Sequence, residues 1–191
     1  MKIILASGSK NRREIFKIAQ IPVEIMPAHV DERSIKESDL PKRAIAIARL
    51  KADDVASKLE KQAVVIAGDG FNSCEGKILE KPKEVEEGKK MLRLLSDNLT
   101  IFYSGLVMVN LGTGEQFEEV AVTKTWFRKL GKAEIEDYVK SCDVTKYSAA
   151  YSPLNTKAIS FIRKIAGSVS GFSHSVPMDL VVPKLREWNA L

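Results

Sequence analysis

Four groups of residues in this chain have side-chain types and spacings that could do chemistry. The first is Ser7-Gly8-Ser9 followed by Arg12 and Arg13. Lys2 to Ala6 is a short apolar run that reads as a buried strand. A helix is expected after the loop, with Asn11 as N-cap and Glu14 as its capping partner. A helix N-terminus presents unpaired N–H groups and partial positive charge, so it suits phosphate. Glycine lets the backbone approach closely, serine hydroxyls donate, and arginine grips phosphate oxygens two at a time. The same residues also describe an ordinary capped helix with two surface arginines. A Walker loop is excluded, because its Gly-Lys-Ser/Thr ending is missing.

The second group is Asp69, between Gly68 and Gly70 where the apolar run Ala63 to Ala67 is expected to end. Strand ends in α/β sheets collect ligands, and a carboxylate there can hold a metal or position water. A turn aspartate is the other reading. The third group is Lys51, inside a mostly apolar helical pattern, and Lys81, just before Pro82; each could equally be an exposed lysine. The fourth is Asp31-Glu32, two adjacent carboxylates that fit either a metal or a solvated acidic turn. His29 and His174 are isolated, without zinc spacing, and no serine sits in a nucleophile elbow. Trp126 and Phe127 suit core packing or stacking on a base.

The elements that must position these residues follow from periodicity. Ile15, Phe16, Ile18 and Ala19 mark one side of the first helix, which Pro22 ends. Val23, Ile25 and Pro27 alternate as an edge strand. Pro41 opens a helix to about Leu59, with Ile45, Ala48, Ala52, Val55 and Leu59 as its apolar stripe. Ala63 to Ala67 reads as a central strand, and Ile78-Leu79 as a short strand after a turn at Glu75-Gly76. Val85 to Leu95 reads as a helix, Leu99 to Val109 with Gln116 to Phe127 as a hairpin, and Ala133 to Val139 as a helix. Phe161-Ile162 fits strand or helix. Met178 to Trp188 closes the chain as a helix that Pro183 would kink or start. The fold expected is α/β: a mixed, twisted sheet with flanking helices, in one domain over 1–191 or as two lobes sharing a cleft.

Composition narrows the class. With 45% hydrophobic residues in 191, the chain can bury a core without staples. Cys74 and Cys142 are too few for a disulfide framework and read as structural thiols. No apolar run reaches the length of a signal peptide or a membrane span, so a cytoplasmic protein without a membrane partner is expected. The net charge of +5 could attract phosphate-rich ligands. Acids and bases are interleaved, as in Glu84-Val85-Glu86-Glu87-Gly88-Lys89-Lys90, which argues against a stable nucleic-acid partner.

Taken in order, these segments resemble the Maf family of nucleotide pyrophosphatases. Leu5-Ala6-Ser7-Gly8-Ser9-Lys10-Asn11-Arg12-Arg13-Glu14-Ile15 is similar to that family's opening Leu-Ala-Ser-x-Ser-Pro-Arg-Arg-x-Glu-Leu. Val30-Asp31-Glu32, Ala48-Arg49-Leu50-Lys51-Ala52, Val65 to Gly70, and Gly76-Lys77-Ile78-Leu79-Glu80-Lys81-Pro82 follow in the family's order. Thr123 to Arg128 and Glu134 to Val139 also fall in place, and Lys146, Tyr151, Gly167 and Pro177 echo the last third. The inosine-triphosphate pyrophosphatases open similarly, but Lys81-Pro82 with its upstream hairpin favours Maf. The sequence departs from the pattern at Lys10-Asn11, at Gly70 in place of threonine, and in Lys146 to Tyr151, which carries an extra residue. The family's substrate-reading glutamine falls near Leu154 or Asn155.

The resemblance implies hydrolysis of a nucleoside triphosphate, pyrimidine or modified, to monophosphate and pyrophosphate with Mg2+ or Mn2+. It implies Asp69 as general base or metal ligand, and Glu32 as the second carboxylate on the metal. Arg12, Arg13, Lys51 and Lys81 would neutralise the triphosphate, Ser7 would hold phosphate, and a homodimer is expected. A nucleotide-binding regulator without chemistry and a basic nucleic-acid-binding module are the competing readings.

Overall fold

A computed structural model describes residues 1–60, 62–154 and 156–191. In chain order the elements are β1 (Lys2–Leu5), α1 (Lys10–Ile18), β2 (Glu24–Ile25), α2 (Leu40–Ala56), β3 (Ala63–Cys74), β4 (Lys77–Leu79) and α3 (Val85–Leu95). Then come β5 (Leu99–Asn110), β6 (Gln116–Phe127), α4 (Lys132–Ser141), α5 (Thr156–Ile159), β7 (Ile162–Ala166), α6 (Val169–His174) and α7 (Met178–Glu187). The strands form one mixed seven-stranded sheet in the order β2-β1-β3-β5-β6-β7, with β4 paired to β3. β1 lies parallel to both β2 and β3, while β4 on β3 and β7 on β6 are antiparallel. The expected mixed sheet with flanking helices is therefore present.

The chain divides into two compact units. The first comprises Met1–Gly70, Tyr103–Ala121 and Ser168–Leu191. Successive strand side chains point to opposite faces, and the first unit uses both. Ile3 and Leu5 of β1, Val64 and Ile66 of β3, and Leu106 and Met108 of β5 pack with Phe16 of α1 and Val181 and Leu185 of α7. Their neighbours Ile4, Ala6, Val65, Ala67, Val107 and Val109 pack with Ala48, Ala52 and Val55 of α2. So α2 covers one face, and α1 with α7 covers the other.

The α2 face is built from small residues because the helix comes very close. A Cβ placed on Gly105 would lie 2.3 Å from the Ala44 carbonyl oxygen. That is inside contact distance with backbone, which cannot swing aside.

The second unit comprises Phe71–Phe102 and Val122–Gly167. Leu92 and Leu95 of α3 and Ile135, Tyr138 and Val139 of α4 are buried. Tyr138 packs edge-on against Phe161 at 5.0 Å, and Phe127 against Tyr151 at 5.1 Å. Gly167 takes φ +135°, and a Cβ there would lie 2.5 Å from the Val122 oxygen, so only glycine fits. The Cys74 thiol is buried, donates to the Leu99 carbonyl, and is pushed up in pKa by that burial.

Several expectations need correction. The helix after the first loop begins at Lys10 with Ser9 as N-cap, not Asn11, because the Ser9 hydroxyl accepts the Arg12 N–H. Ile18 is exposed rather than inward. The second helix stops at Ala56, so Leu59 packs from beyond its end. β3 does not stop at Gly68-Asp69-Gly70 but runs to Cys74, since Asn72, Ser73 and Cys74 pair with β4 across the turn at Glu75-Gly76. α7 starts at Met178, so Pro183 lies inside it and does not set its start. Asn155 lies outside the described residues. Among the described residues no helix is long and apolar enough to cross a membrane.

Two predictions arise here. Gly105→Ala should lower the thermal midpoint by the equivalent of about 1–3 kcal/mol, the usual cost of overpacking, whereas Gly131→Ala, where a Cβ meets nothing within 4 Å, should cost far less. Differential scanning fluorimetry of the two variants checks this. Burial also lowers the pKa of His174, against a smaller opposing pull from Glu14. The unfolded chain then binds the proton more readily. The stability due to neutral His174 is present above the unfolded pKa of about 6.5 and is lost as pH falls through the lower folded value. Between pH 7.5 and 5.5 the wild type should lose more thermal stability than His174→Gln; equal losses would contradict the assignment.

Candidate active site

The centre of the site follows from two periodicities meeting. Ala63, Val65 and Ala67 share the β3 face that packs on α2. The next residue on that face, at the strand's period of two, is Asp69. On α2 the buried stripe runs Ala44, Ala48, Lys51, Ala52, Val55 at helical spacing. Lys51 therefore meets Asp69, and its ammonium donates to Asp69 Oδ1 at 2.8 Å. Each residue is only 8% exposed. A lysine on an apolar stripe is tolerated because its charge ends on a buried carboxylate.

A second carboxylate reaches the same ammonium. Asp31 caps the 3-10 turn Glu32–Ser34 by accepting the Arg33 N–H, which commits it locally. Glu32 is left half-exposed and reaches Lys51 Nζ at 2.8 Å. The two adjacent acids thus do not act as a pair: Asp31 shapes the turn and Glu32 faces the site.

The loop after β1 forms the third wall. Ser7 is buried, and its Oγ accepts from the Ser9 N–H at 3.2 Å and from Arg12 Nη1 at 3.3 Å. Arg12 Nη2 lies 3.9 Å from Asp69 Oδ1. Burial lowers the Arg12 pKa, while Asp69 and Glu32 pull it back up. Its Nε is buried with no hydrogen-bond partner among the described residues, a donor left over beside a cavity. That cavity, about 210 Å³, is lined by Ala6 to Ser9, Arg12, Ala28, Glu32 and Lys51. Cationic groups, hydroxyls and the N-terminal end of α1 thus face a space that suits phosphate, beside two carboxylates that can hold a cation or a water.

Of the residues singled out in the sequence, the structure brings together Ser7, Arg12, Glu32, Lys51 and Asp69. Arg13 is exposed and outside the cavity lining. Lys81 belongs to the second unit, exposed beside buried Pro82. His29 is exposed, and its backbone N–H donates to Asp54. His174 is buried, with Nδ1 2.7 Å from Ser173 Oγ. Phe127 is core, and Trp126 carries the Lys164 ammonium over its ring. Lys146 pairs with Asp143, and Leu154 is exposed. Sequence reasoning missed the structural part of Ser9, which its place three residues before Arg12 could have signalled, and Ala28, for which no signal existed.

The family model described as Maf-like protein matches residues 2–173. A dTTP/UTP pyrophosphatase of Carboxydothermus hydrogenoformans is 35% identical over 190 residues, covering 98% of this chain and 99% of that protein. A dTTP/UTP pyrophosphatase of Acholeplasma laidlawii is 31% identical, covering 98% and 96%. A nucleoside triphosphate pyrophosphatase of a Synechococcus strain is 28% identical over 86% of this chain and 83% of its own. Among solved structures, a HAM1 protein from Coxiella burnetii superposes with a TM-score of 0.52 at 17% identity, covering 98% and 99%, a likeness of fold. With a family match over nearly its whole length and relatives above 30% identity end to end, the chain belongs to the Maf family.

Proposed function

We propose that the chain hydrolyses nucleoside triphosphates to the monophosphate and pyrophosphate, with dTTP and UTP as preferred substrates. The observation that carries the reading is the convergence of Lys51, Asp69 and Glu32 beside the Ser7–Arg12 phosphate cradle. The names of the aligned relatives support the reaction and the pyrimidine preference.

The donor set fits a divalent cation. Two carboxylate oxygens converge on one point, the Lys51 ammonium. Among the described residues no three His, Cys, Asp or Glu side chains gather, so an ion here takes two carboxylates at most from this chain. Mg2+ and Mn2+ accept that arrangement, filling their other positions with phosphate oxygens and water. When bound, the ion would neutralise phosphate charge and acidify a coordinated water.

The chain's own groups then divide the work. Asp69 takes the proton from the water that attacks the α-phosphorus. Glu32 would help hold the ion. Ser7 and the N–H groups that follow it orient the phosphates. Lys51 and Arg12 stabilise the charge that moves onto the departing pyrophosphate. Lys81 enters on its sequence motif alone, and Arg13 only on its place beside Arg12 in the sequence. Gly70 leaves the position after Asp69 without a side chain, so nothing there replaces the threonine of the family pattern.

The test is a panel of common and modified nucleoside triphosphates with Mg2+ or Mn2+, reading pyrophosphate separately from orthophosphate. Metal-dependent pyrophosphate release is expected, fastest from dTTP and UTP. Asp69→Asn should lower turnover by at least about a hundredfold. Orthophosphate as product, no release from folded protein, or near-normal Asp69→Asn turnover would overturn the proposal; binding without release would favour the regulatory reading.

A further inference from the structure

The point on which the two carboxylates converge is filled by the chain itself. Lys51 Nζ lies 2.8 Å from Asp69 Oδ1 and 2.8 Å from Glu32 Oε1. Arg12 adds a second fixed cation 3.9 Å from Asp69. Two carboxylates therefore face two cations, and the cluster carries no charge deficit for a free divalent ion to satisfy. An entering ion would have to displace the ammonium, or sit within a few ångströms of it against strong like-charge repulsion. The displaced ammonium would need another anion, because a desolvated charge without a partner is costly. The cavity beside it is where a polyphosphate would supply one. A lysine suits such a part, with a compact charge on a stem of four rotatable carbons.

We infer that Lys51 is a built-in stand-in for the metal: it keeps the nucleotide-free site from taking up a divalent cation, and it yields its place only to a polyphosphate that draws the ammonium away. The protein then accepts its substrate as a metal–nucleotide complex rather than metal first. The inference rests on the metal-dependent reading proposed above.

Direct Mn2+ binding to nucleotide-free protein tests it, with free Mn2+ followed by electron paramagnetic resonance. Wild type should bind weakly. Lys51→Met should bind at least about tenfold more tightly, and adding Asp69→Asn to that variant should abolish the gain. Mn2+ should also raise the thermal midpoint of Lys51→Met and leave that of wild type unchanged. Should Lys51→Met fail to fold, Lys51→Gln keeps a donor for the carboxylates and carries the same expectation. Equal Mn2+ affinity in wild type and variant would overturn the inference while leaving metal-dependent pyrophosphate release by wild type intact. Absence of that release would instead remove the reading on which the inference rests.

Discussion

A lysine ammonium held 2.8 Å from an aspartate, each residue 8% exposed, is the contact on which the site depends. Neither charge would be stable alone where it sits, since removing one partner of a buried pair typically costs about 3–5 kcal/mol. Together they neutralise each other where α2 packs on β3. Glu32 reaches the same ammonium, and Arg12 the same carboxylate. The four side chains come from four stretches of chain, and no local preference could assemble them. The packing of α2 on one sheet face sets Lys51 against Asp69, and the start of α1 and the Glu32–Ser34 turn carry Arg12 and Glu32 to them.

That packing needs small residues. Ala44, Ala48 and Ala52 on α2 meet Ala6 just past β1, Ala67 on β3 and Gly105 on β5. Larger side chains would lift the helix and separate Lys51 from Asp69. The apolar stripe and the charged pair are thus one feature: the stripe sets the distance and the pair uses it. The Ser7–Arg12 loop completes the site for a different reason. Ser7 Oγ accepts from both Ser9 and Arg12, so one hydroxyl shapes the turn and aims the guanidinium.

Much of this was legible in the sequence where periodicity is strong. The Val85 to Leu95 helix and the long hairpin appear as read, because their apolar patterns are long and regular. Asp69 and Lys51 were visible as candidates, but their mutual contact was not, since it depends on which turn of α2 crosses which residue of β3. The expected strand end at Gly68 failed because glycine only permits a turn, and pairing with β4 held the chain extended. Asn11 was a plausible cap displaced by Ser9, whose hydroxyl reaches the Arg12 N–H. Ala149 and Ala150 both adopt positive φ, at 57° and 62°, in the Lys146 to Tyr151 stretch where the sequence departs from the family pattern. Nothing in an Ala-Ala pair announces that backbone, which alanine adopts only at a cost.

The central claim is that Lys51 and Asp69 are coupled and that their contact organises the site. A double-mutant cycle on unfolding free energy, with Lys51→Met, Asp69→Asn and the double variant in metal-free buffer, tests it most directly. The account predicts that each single change destabilises and that the double variant is less destabilised than their sum, by about 1 kcal/mol or more, within the range for residues in direct contact. Additive effects, to within about 0.5 kcal/mol, would show that the two side chains do not depend on each other and would contradict the account.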